Sequence, residues 1–206
     1  MSEALAPLEI TWEDLLLRGG VEGVFPRSQP LEVEVGPGED DFLLESARAQ
    51  PGRNWLGIEY SSKRVTRYVR RVLGLAGPLE NLRLVWRPAA DLIGPFLTPG
   101  RVAGYHVHFP DPWPKKHHAR YRLMGPEFVS DLAASLAGGG TLEVATDSRA
   151  YLEEMLAVLA GEPRLANRLA APGWRSPPSG DRATVFERRW REAGREIYAL
   201  TYERVA

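Results

Sequence analysis

The 206-residue sequence predicts an α/β fold, a mostly parallel sheet with helices on both faces. Strand-like and helix-like segments alternate five times along the chain. The strand-like runs are short and apolar, as strands buried on both faces are. Each is followed by a turn or capping residue from which a helix can start.

In chain order, PLEVEVGPG (30–38) is a β-branched run ending in glycines, a buried strand leading into a tight turn. EDDFLLESARAQ (39–50) spaces Phe42, Leu43, Leu44 and Ala47 for one helix face, with acids in the first turn where the helix dipole favours them. Pro51-Gly52 stops it. NWLGIEY (54–60) is the next strand. SSKRVTRYVRRVLGL (61–75) opens on capping serines and turns Val65, Tyr68, Val69 and Val72 to one side. NLRLVW (81–86) and RVAGYHVHF (101–109) are the third and fourth strands, PEFVSDLAASLA (126–137) a helix, and GGGTLEVAT (138–146) the fifth strand. DSRAYLEEMLAVLAG (147–161) is a helix, and REIYALTYERV (195–205) alternates as a late strand. APGWRSPPSGDRA (171–183) is the one long Pro/Gly/Ser loop, a length that compact domains reserve for functional or mobile segments.

Composition narrows the chemistry. Cysteine is absent, which removes disulfides, thiolate metal sites and cysteine nucleophiles. No apolar run reaches membrane-spanning length, so no membrane association is expected. MSEALAPLEITWED lacks the basic start of a signal peptide, and a cytoplasmic location is expected. Net charge is −1, but residues 1–60 hold 12 acids and 4 bases while the remainder holds 15 acids and 22 bases. A basic remainder suits either a local nucleic-acid footprint or arginines that solvate helix faces.

Ligands of such sheets bind beyond the carboxyl ends of the strands. Gly36 and Gly38 follow the first strand and let a ligand approach the backbone closely. A dinucleotide site would want a third glycine where Asp41 stands, and Glu39 and Asp40 would repel a pyrophosphate. Glu59 ends the second strand 21 residues past Gly38, where a carboxylate commonly accepts ribose hydroxyls, and Glu34 adds negative charge before the turn. A ligand with a ribose, a sulfonium and an ammonium group fits this corner, which describes S-adenosylmethionine. Both acids as simple strand ends in solvent is the plainer alternative.

HFPDPWPKKHHARYR (108–122) is the most unusual stretch. Pro110, Pro112 and Pro114 fix their own φ and restrict the residues before them, so Asp111 is held in a narrow conformational range. Trp113 offers a stacking surface or a core plug. Lys115, Lys116, Arg120 and Arg122 suit phosphate contacts, and His117 and His118 can donate hydrogen bonds, unless the segment is only a solvated basic loop. His106 and His108 share one strand face and raise a metal site with Asp111, His117 and His118; nothing fixes the other ligands, and no metal is expected.

The run FPDPWPKKHHARYR resembles the signature of the bacterial tRNA (guanine-N7)-methyltransferases. VEVGPGEDDF, LGIEY, LEVATDS and RATVFE resemble that family's other blocks in the same order, and the likeness covers roughly residues 24–205. The resemblance implies a Rossmann-like class I methyltransferase fold with a mostly parallel seven-stranded sheet and helices on both faces. It implies one methyltransferase domain over 1–206, with a short N-terminal extension at 1–23 and a substrate-side loop at 171–183. It implies S-adenosylmethionine as donor and a tRNA variable-loop guanine as target. Glu34, Gly36, Gly38, Glu59, Pro88, Ala89 and Asp111 then fall at donor-binding positions, and Asp111 also at the proposed catalytic one. Lys115, Asp147, Thr184, Phe186 and Glu187 fall at substrate positions, and Lys116, His117, His118, Arg120 and Arg122 in the RNA-contacting segment. Asp40 stands where the family usually has a third glycine, and Pro88-Ala89 where it usually has Asp-Ala, the aspartate that holds the adenine end of the donor; Asp91 replaces it only if the turn is reshaped. His117 and Tyr121 stand where arginines are common, and a short N-terminal arm reduces any RNA contact from that side. Three alternatives remain: a small-molecule methyltransferase, an aminopropyl transferase, or a non-catalytic RNA-binding relative that has lost the donor. The sequence carries no signal of oligomeric state.

Overall fold

The computed structural model describes residues 8–76, 79–177 and 184–205, without the side chains of Ala76, Lys116 and Val185. Its elements are β1 (Glu9–Ile10), α1 (Trp12–Leu17), β2 (Leu31–Val35), α2 (Phe42–Ala49), β3 (Asn54–Glu59), α3 (Ser62–Ala76), β4 (Leu82–Trp86), α4 (Ala89–Leu92), β5 (Val102–His108), α5 (Pro126–Ser135), β6 (Leu136–Thr146), α6 (Arg149–Ala160), β7 (Leu165–Asn167), α7 (Val185–Glu192) and β8 (Tyr198–Arg204). They build an eight-stranded sheet in the order β1-β4-β3-β2-β5-β6-β8-β7. Pairing is parallel except where β8 runs antiparallel to both β6 and β7.

The expected seven strands are joined by one more. Two residues of the N-terminal segment, Glu9 and Ile10, pair in parallel with Leu84 and Val85 of β4. A strand that short leaves no alternation to read in the sequence. Helix α7 was also absent from the expected elements, and β6 begins two residues earlier than expected, so the Gly138–Gly140 run lies inside the strand.

Alternate side chains along the strands serve two cores. Leu56, Ile58 and Val85 join Tyr105, Val107, Leu142 and Val144 under α5 and α6, whose Phe128, Val129, Leu132, Tyr151, Leu152 and Met155 are buried there. Trp55, Leu82 and Leu84 face the other way, against Leu43, Leu44 and Ala47 of α2 and Tyr68 and Val72 of α3. Gly57 permits that second contact: a Cβ there would lie 2.6 Å from methyls of both Leu43 and Leu84. Apolar burial of this kind contributes about 25 cal/mol per Å².

On the α2 side the two central strands are joined by charge rather than hydrocarbon. His106 donates toward Glu32 at 3.1 Å, its other ring nitrogen lies 3.4 Å from Glu143, and Arg53 pairs with the same Glu32. The imidazole lies between Phe42, at 4.9 Å, and the stacked ring of Trp55, at 5.5 Å. Burial by itself would lower the His106 pKa, but the hydrogen bonds and charges of Glu143 and Glu32 outweigh it and hold the group at about 9.

A pKa raised above the unfolded value of 6.5 adds stability that is complete below pH 6.5 and lost as pH rises through about 9. Urea unfolding of the parent should therefore show stability falling between those values, by on the order of 2–3 kcal/mol. The His106→Gln variant should show a flatter profile over the same range.

Candidate active site

The carboxyl edge of the sheet gathers the residues the sequence singles out. Strand β2 is buried along its length and ends in a turn where Gly36 takes φ 73 and Gly38 φ 58. Only glycine adopts that region without strain. The Gly38 N–H donates to Glu59 Oε2 at 3.1 Å, and the Ser61 N–H donates to Glu59 Oε1 at 2.9 Å. Glu59, expected on ribose hydroxyls, thus holds the glycine turn and the start of α3 as well. A carboxylate has about four acceptor sites, so lone pairs remain for hydroxyl donors.

Glu34 is 1% exposed. Its Oε1 lies 3.1 Å from His108 Nδ1, and among the described residues its buried Oε2 has no hydrogen-bond partner. Burial raises the Glu34 pKa, opposed by the His108 contact. A buried acceptor left unpaired costs about 1–3 kcal/mol, and a ligand N–H or O–H would remove that cost. The open oxygen beside a glycine turn fits a cationic, hydroxyl-bearing donor such as S-adenosylmethionine. His106 and His108, on β5, each face a carboxylate of β2 at 3.1 Å, and no group of three or more potential metal ligands gathers among the described residues.

The two departures at the donor corner have local explanations. Asp40 is buried, accepts the Phe42 N–H at 3.1 Å and lies 3.5 Å from the Phe186 N–H, so it ties the turn before α2 to the first residue of that helix and reaches α7. Pro88 is the N-cap of α4, Ala89 is buried beneath it, and Asp91 is exposed in the first turn. Pro88 and Ala89 therefore leave the exit of β4 without the carboxylate expected there. Trp86 and Tyr60 are exposed beside them, with the indole N–H donating to the Tyr60 carbonyl at 2.9 Å; neither was anticipated.

Beyond β5 the backbone is strained. Phe109 has φ 50 and Trp113 φ 41, a region that bulky residues rarely enter and that costs about 1–3 kcal/mol each. Asp111 lies between them, exposed, and no described side chain hydrogen-bonds its carboxylate. Trp113 is 36% exposed, edge-on to His118 at 5.6 Å and tilted to Tyr121 at 5.5 Å, a surface aromatic and not a core plug. Lys115, His117 and Arg120 are exposed around a 3-10 turn at Lys116–Tyr121, with the Arg120 guanidinium 4.9 Å over the Tyr121 ring. The side chain of Lys116 lies outside the described residues.

Arg122, expected on RNA, has several partners within the protein. It donates to the Pro112 carbonyl at 2.8 Å and the Trp113 carbonyl at 3.2 Å, pairs with Glu154 and lies 5.4 Å over the Tyr151 ring. It braces the proline loop. The sequence offered no cue, because its partners are backbone carbonyls and residues about 30 positions away.

The block expected to bind substrate is the start of α7. Thr184 is its N-cap and accepts the Glu187 N–H at 2.9 Å. The Thr-x-x-Glu spacing is the cue that the helix begins here. Phe186 lies 6.2 Å from Phe109 and touches the position a Gly38 Cβ would take. Glu187 is buried and held by Arg191 at 2.9 Å, and Asp147, just past β6, is paired with Arg195 at 2.5 Å. Of the loop at 171–183, residues 178–183 lie outside the described residues.

An acid-ended strand, a glycine turn and a parallel sheet closed by one antiparallel strand define a class I methyltransferase fold. Solved structures agree: the 16S rRNA methyltransferase KamB superposes with a TM-score of 0.59 at 19% identity, covering 93% of this chain and 92% of that one. The geranyl diphosphate C-methyltransferase of Streptomyces coelicolor A3(2) gives 0.58 at 16%, covering 94% and 74%. Residues 28–200 match the family described as "Putative methyltransferase". The tRNA (guanine-N(7)-)-methyltransferase of Bordetella pertussis is 39% identical over 180 residues, 87% of this chain and 69% of the relative. Its counterpart in Leifsonia xyli subsp. xyli is 40% identical over 183 residues, 88% and 79%. The chain belongs to the tRNA (guanine-N7)-methyltransferase family.

Arg122→Ala should destabilise the fold by about 1–3 kcal/mol in denaturant titrations, because two carbonyls and Glu154 lose a largely buried partner. Arg122→Lys should not restore the loss, since an ammonium cannot span the same fork. For Glu34→Gln, calorimetry should find S-adenosylmethionine affinity reduced about tenfold or more, as expected for losing a charge-assisted contact. Affinity of the parent should fall as pH drops through the raised Glu34 pKa, because only the ionised form attracts a cation.

Proposed function

We infer that the protein transfers the methyl group of S-adenosylmethionine to N7 of a variable-loop guanine in tRNA, as a single methyltransferase domain over residues 1–206 working in the cytoplasm. The carrying observation is the carboxylate of Asp111, which no described side chain hydrogen-bonds, in a strained loop one strand from a Glu34 oxygen that has no partner among the described residues. The names of the family relatives support the substrate.

The donor supplies an electrophilic methyl on sulfur. Guanine N7 carries a lone pair and no proton, so the reaction needs alignment more than a general base. Asp111 stabilises the positive charge that grows on the ring as N7 is alkylated. Its flanking prolines restrict the backbone that carries the carboxylate, which limits reorganisation during the step. Glu34, Glu59 and the Gly36–Gly38 turn hold the donor, with Pro88 and Ala89 beside its adenine end. Asp147 or Glu187 accepts the two adjacent donors of guanine's Watson–Crick edge, and adenine would set its N1 acceptor against the same carboxylate at a cost of roughly 1–3 kcal/mol. Thr184 and Phe186 position that block against the donor turn. Lys115, Lys116, His117, His118 and Arg120 contact phosphates, and Trp113 with Tyr121 gives an unstacked base an aromatic surface.

Unmodified tRNA and labelled donor test the assignment, with nucleosides separated after reaction. The parent should produce 7-methylguanosine, and Asp111→Ala should lose about 10²-fold in kcat, the usual scale for removing one electrostatic contact to a transition state. A folded parent that binds tRNA yet forms no 7-methylguanosine would instead be a non-catalytic RNA-binding relative.

A further inference from the structure

Arg195 is held by two independent contacts. Helix α7 ends at Glu192 with Ala193 as its C-cap, and Gly194 takes φ 71. The Arg195 N–H donates to the Trp190 carbonyl and the Gly194 N–H to the Arg191 carbonyl, each at 2.9 Å. Those paired bonds close a helix through a left-handed glycine and bring the residue after it against the helix's last turn. Here the contact is a guanidinium on an indole: the Arg195 guanidinium carbon lies 4.1 Å from the Trp190 ring centroid. Helix closure accounts for that contact. It does not account for the second, 2.5 Å from Arg195 to Oδ2 of Asp147, on a different element and with only 15% of the Asp147 side chain exposed.

A planar group with adjacent N–H donors is thus stacked on an aromatic ring and hydrogen-bonded to a mostly buried carboxylate. Guanine presents the same features, since its N1–H, C2-amino and N3 atoms form a guanidine unit within a planar ring. We propose that Trp190 and Asp147 form the seat of the target guanine, and that Arg195 occupies this seat in the free protein and is displaced when the base enters. This deepens the functional assignment above and rests on guanine being the target.

The position of the seat suits the reaction. Asp147 follows the last residue of β6, beside the end of β5 that carries Asp111. Strand β8 begins at Tyr198, paired with Thr146, so Arg195 stands at the same edge. Phe186, four residues before Trp190 on α7, lies against the donor turn. At 1.5 Å per residue, Phe186 and Trp190 are about one helical turn apart. The seat is also easily vacated. Arg195 is itself half-exposed, so a base that stacks on Trp190 and hydrogen-bonds Asp147 replaces both contacts as the guanidinium moves into solvent. Arg189 reaches the same ring from farther off, at 5.5 Å.

Steady-state methylation of tRNA by Arg195→Ala, Arg195→Lys, Trp190→Ala and Trp190→Phe tests the seat. Arg195→Ala removes an internal competitor, so the KM for tRNA should fall by about three- to tenfold, the worth of one cation–π contact and one ion pair. That variant should also become sensitive to guanidinium ion, competitively with tRNA, while the parent is not. Arg195→Lys keeps the charge without the planar stack and should lie between the two. Trp190→Ala should raise KM about tenfold, the scale of one stacked base, and Trp190→Phe should recover most of it. A phosphate contact predicts the opposite sign: KM would rise in Arg195→Ala and the salt dependence would weaken by about one counterion. That result overturns the seat, as does an unchanged KM in both alanine variants. In either case the parent still forms 7-methylguanosine, which separates failure of the seat from failure of the enzyme assignment.

Discussion

The carboxylate of Glu59 is the contact on which the functional edge depends. Buried to 2% exposure, it accepts one N–H from the glycine turn and one from the start of α3. The carbonyl of the same residue accepts the Arg87 N–H at 3.0 Å, which sets the exit of β4. Three loops are therefore positioned by a single residue at the end of β3. Charge-assisted bonds of this kind are roughly twice as strong as neutral ones. Such a hub lets the donor corner keep its shape although Asp40 and Pro88 replace the usual glycine and aspartate.

A second set of contacts maintains strain one strand away. The proline loop contains two left-handed non-glycine residues, Phe109 and Trp113, and a conformation of that kind persists only where its surroundings enforce it. The enforcement comes from α6: Tyr151 and Glu154 hold the guanidinium of Arg122, and Arg122 holds the Pro112 and Trp113 carbonyls. Tyr151 is itself buried and accepts the Met124 N–H at 3.1 Å. The exposure of Asp111 is thus the counterpart of the engagement of Arg122, and two cations two positions apart in one basic run, Arg120 and Arg122, have different surroundings.

The parts of the fold readable from sequence were those with a period. Five strand–helix alternations, the glycine turn and the shared face of His106 and His108 follow from local spacing. Strand β1 is too short for any pattern, and α7 is so rich in arginine that its apolar stripe is hidden, although Thr184 and Glu187 mark its start. At the site, residue types were readable and partners were not. The sequence pointed to Glu34, Glu59, Asp111 and Asp147, but the engagement of Arg122 and Arg195 depends on chain crossings that no window reveals.

Strand β8 is the last to be synthesised, yet it lies inside the sheet, between β6 and β7. Until residues 198–204 have left the ribosome, the outer edge of β6 has no partner, and β7 has none at all. An unpaired edge presents a row of backbone donors and acceptors to any neighbouring chain. The nascent protein therefore passes through a period in which the other described strands exist and the sheet is still open. Shielding by a chaperone matters most in that interval, and a chain cut before Tyr198 would leave the edge open permanently.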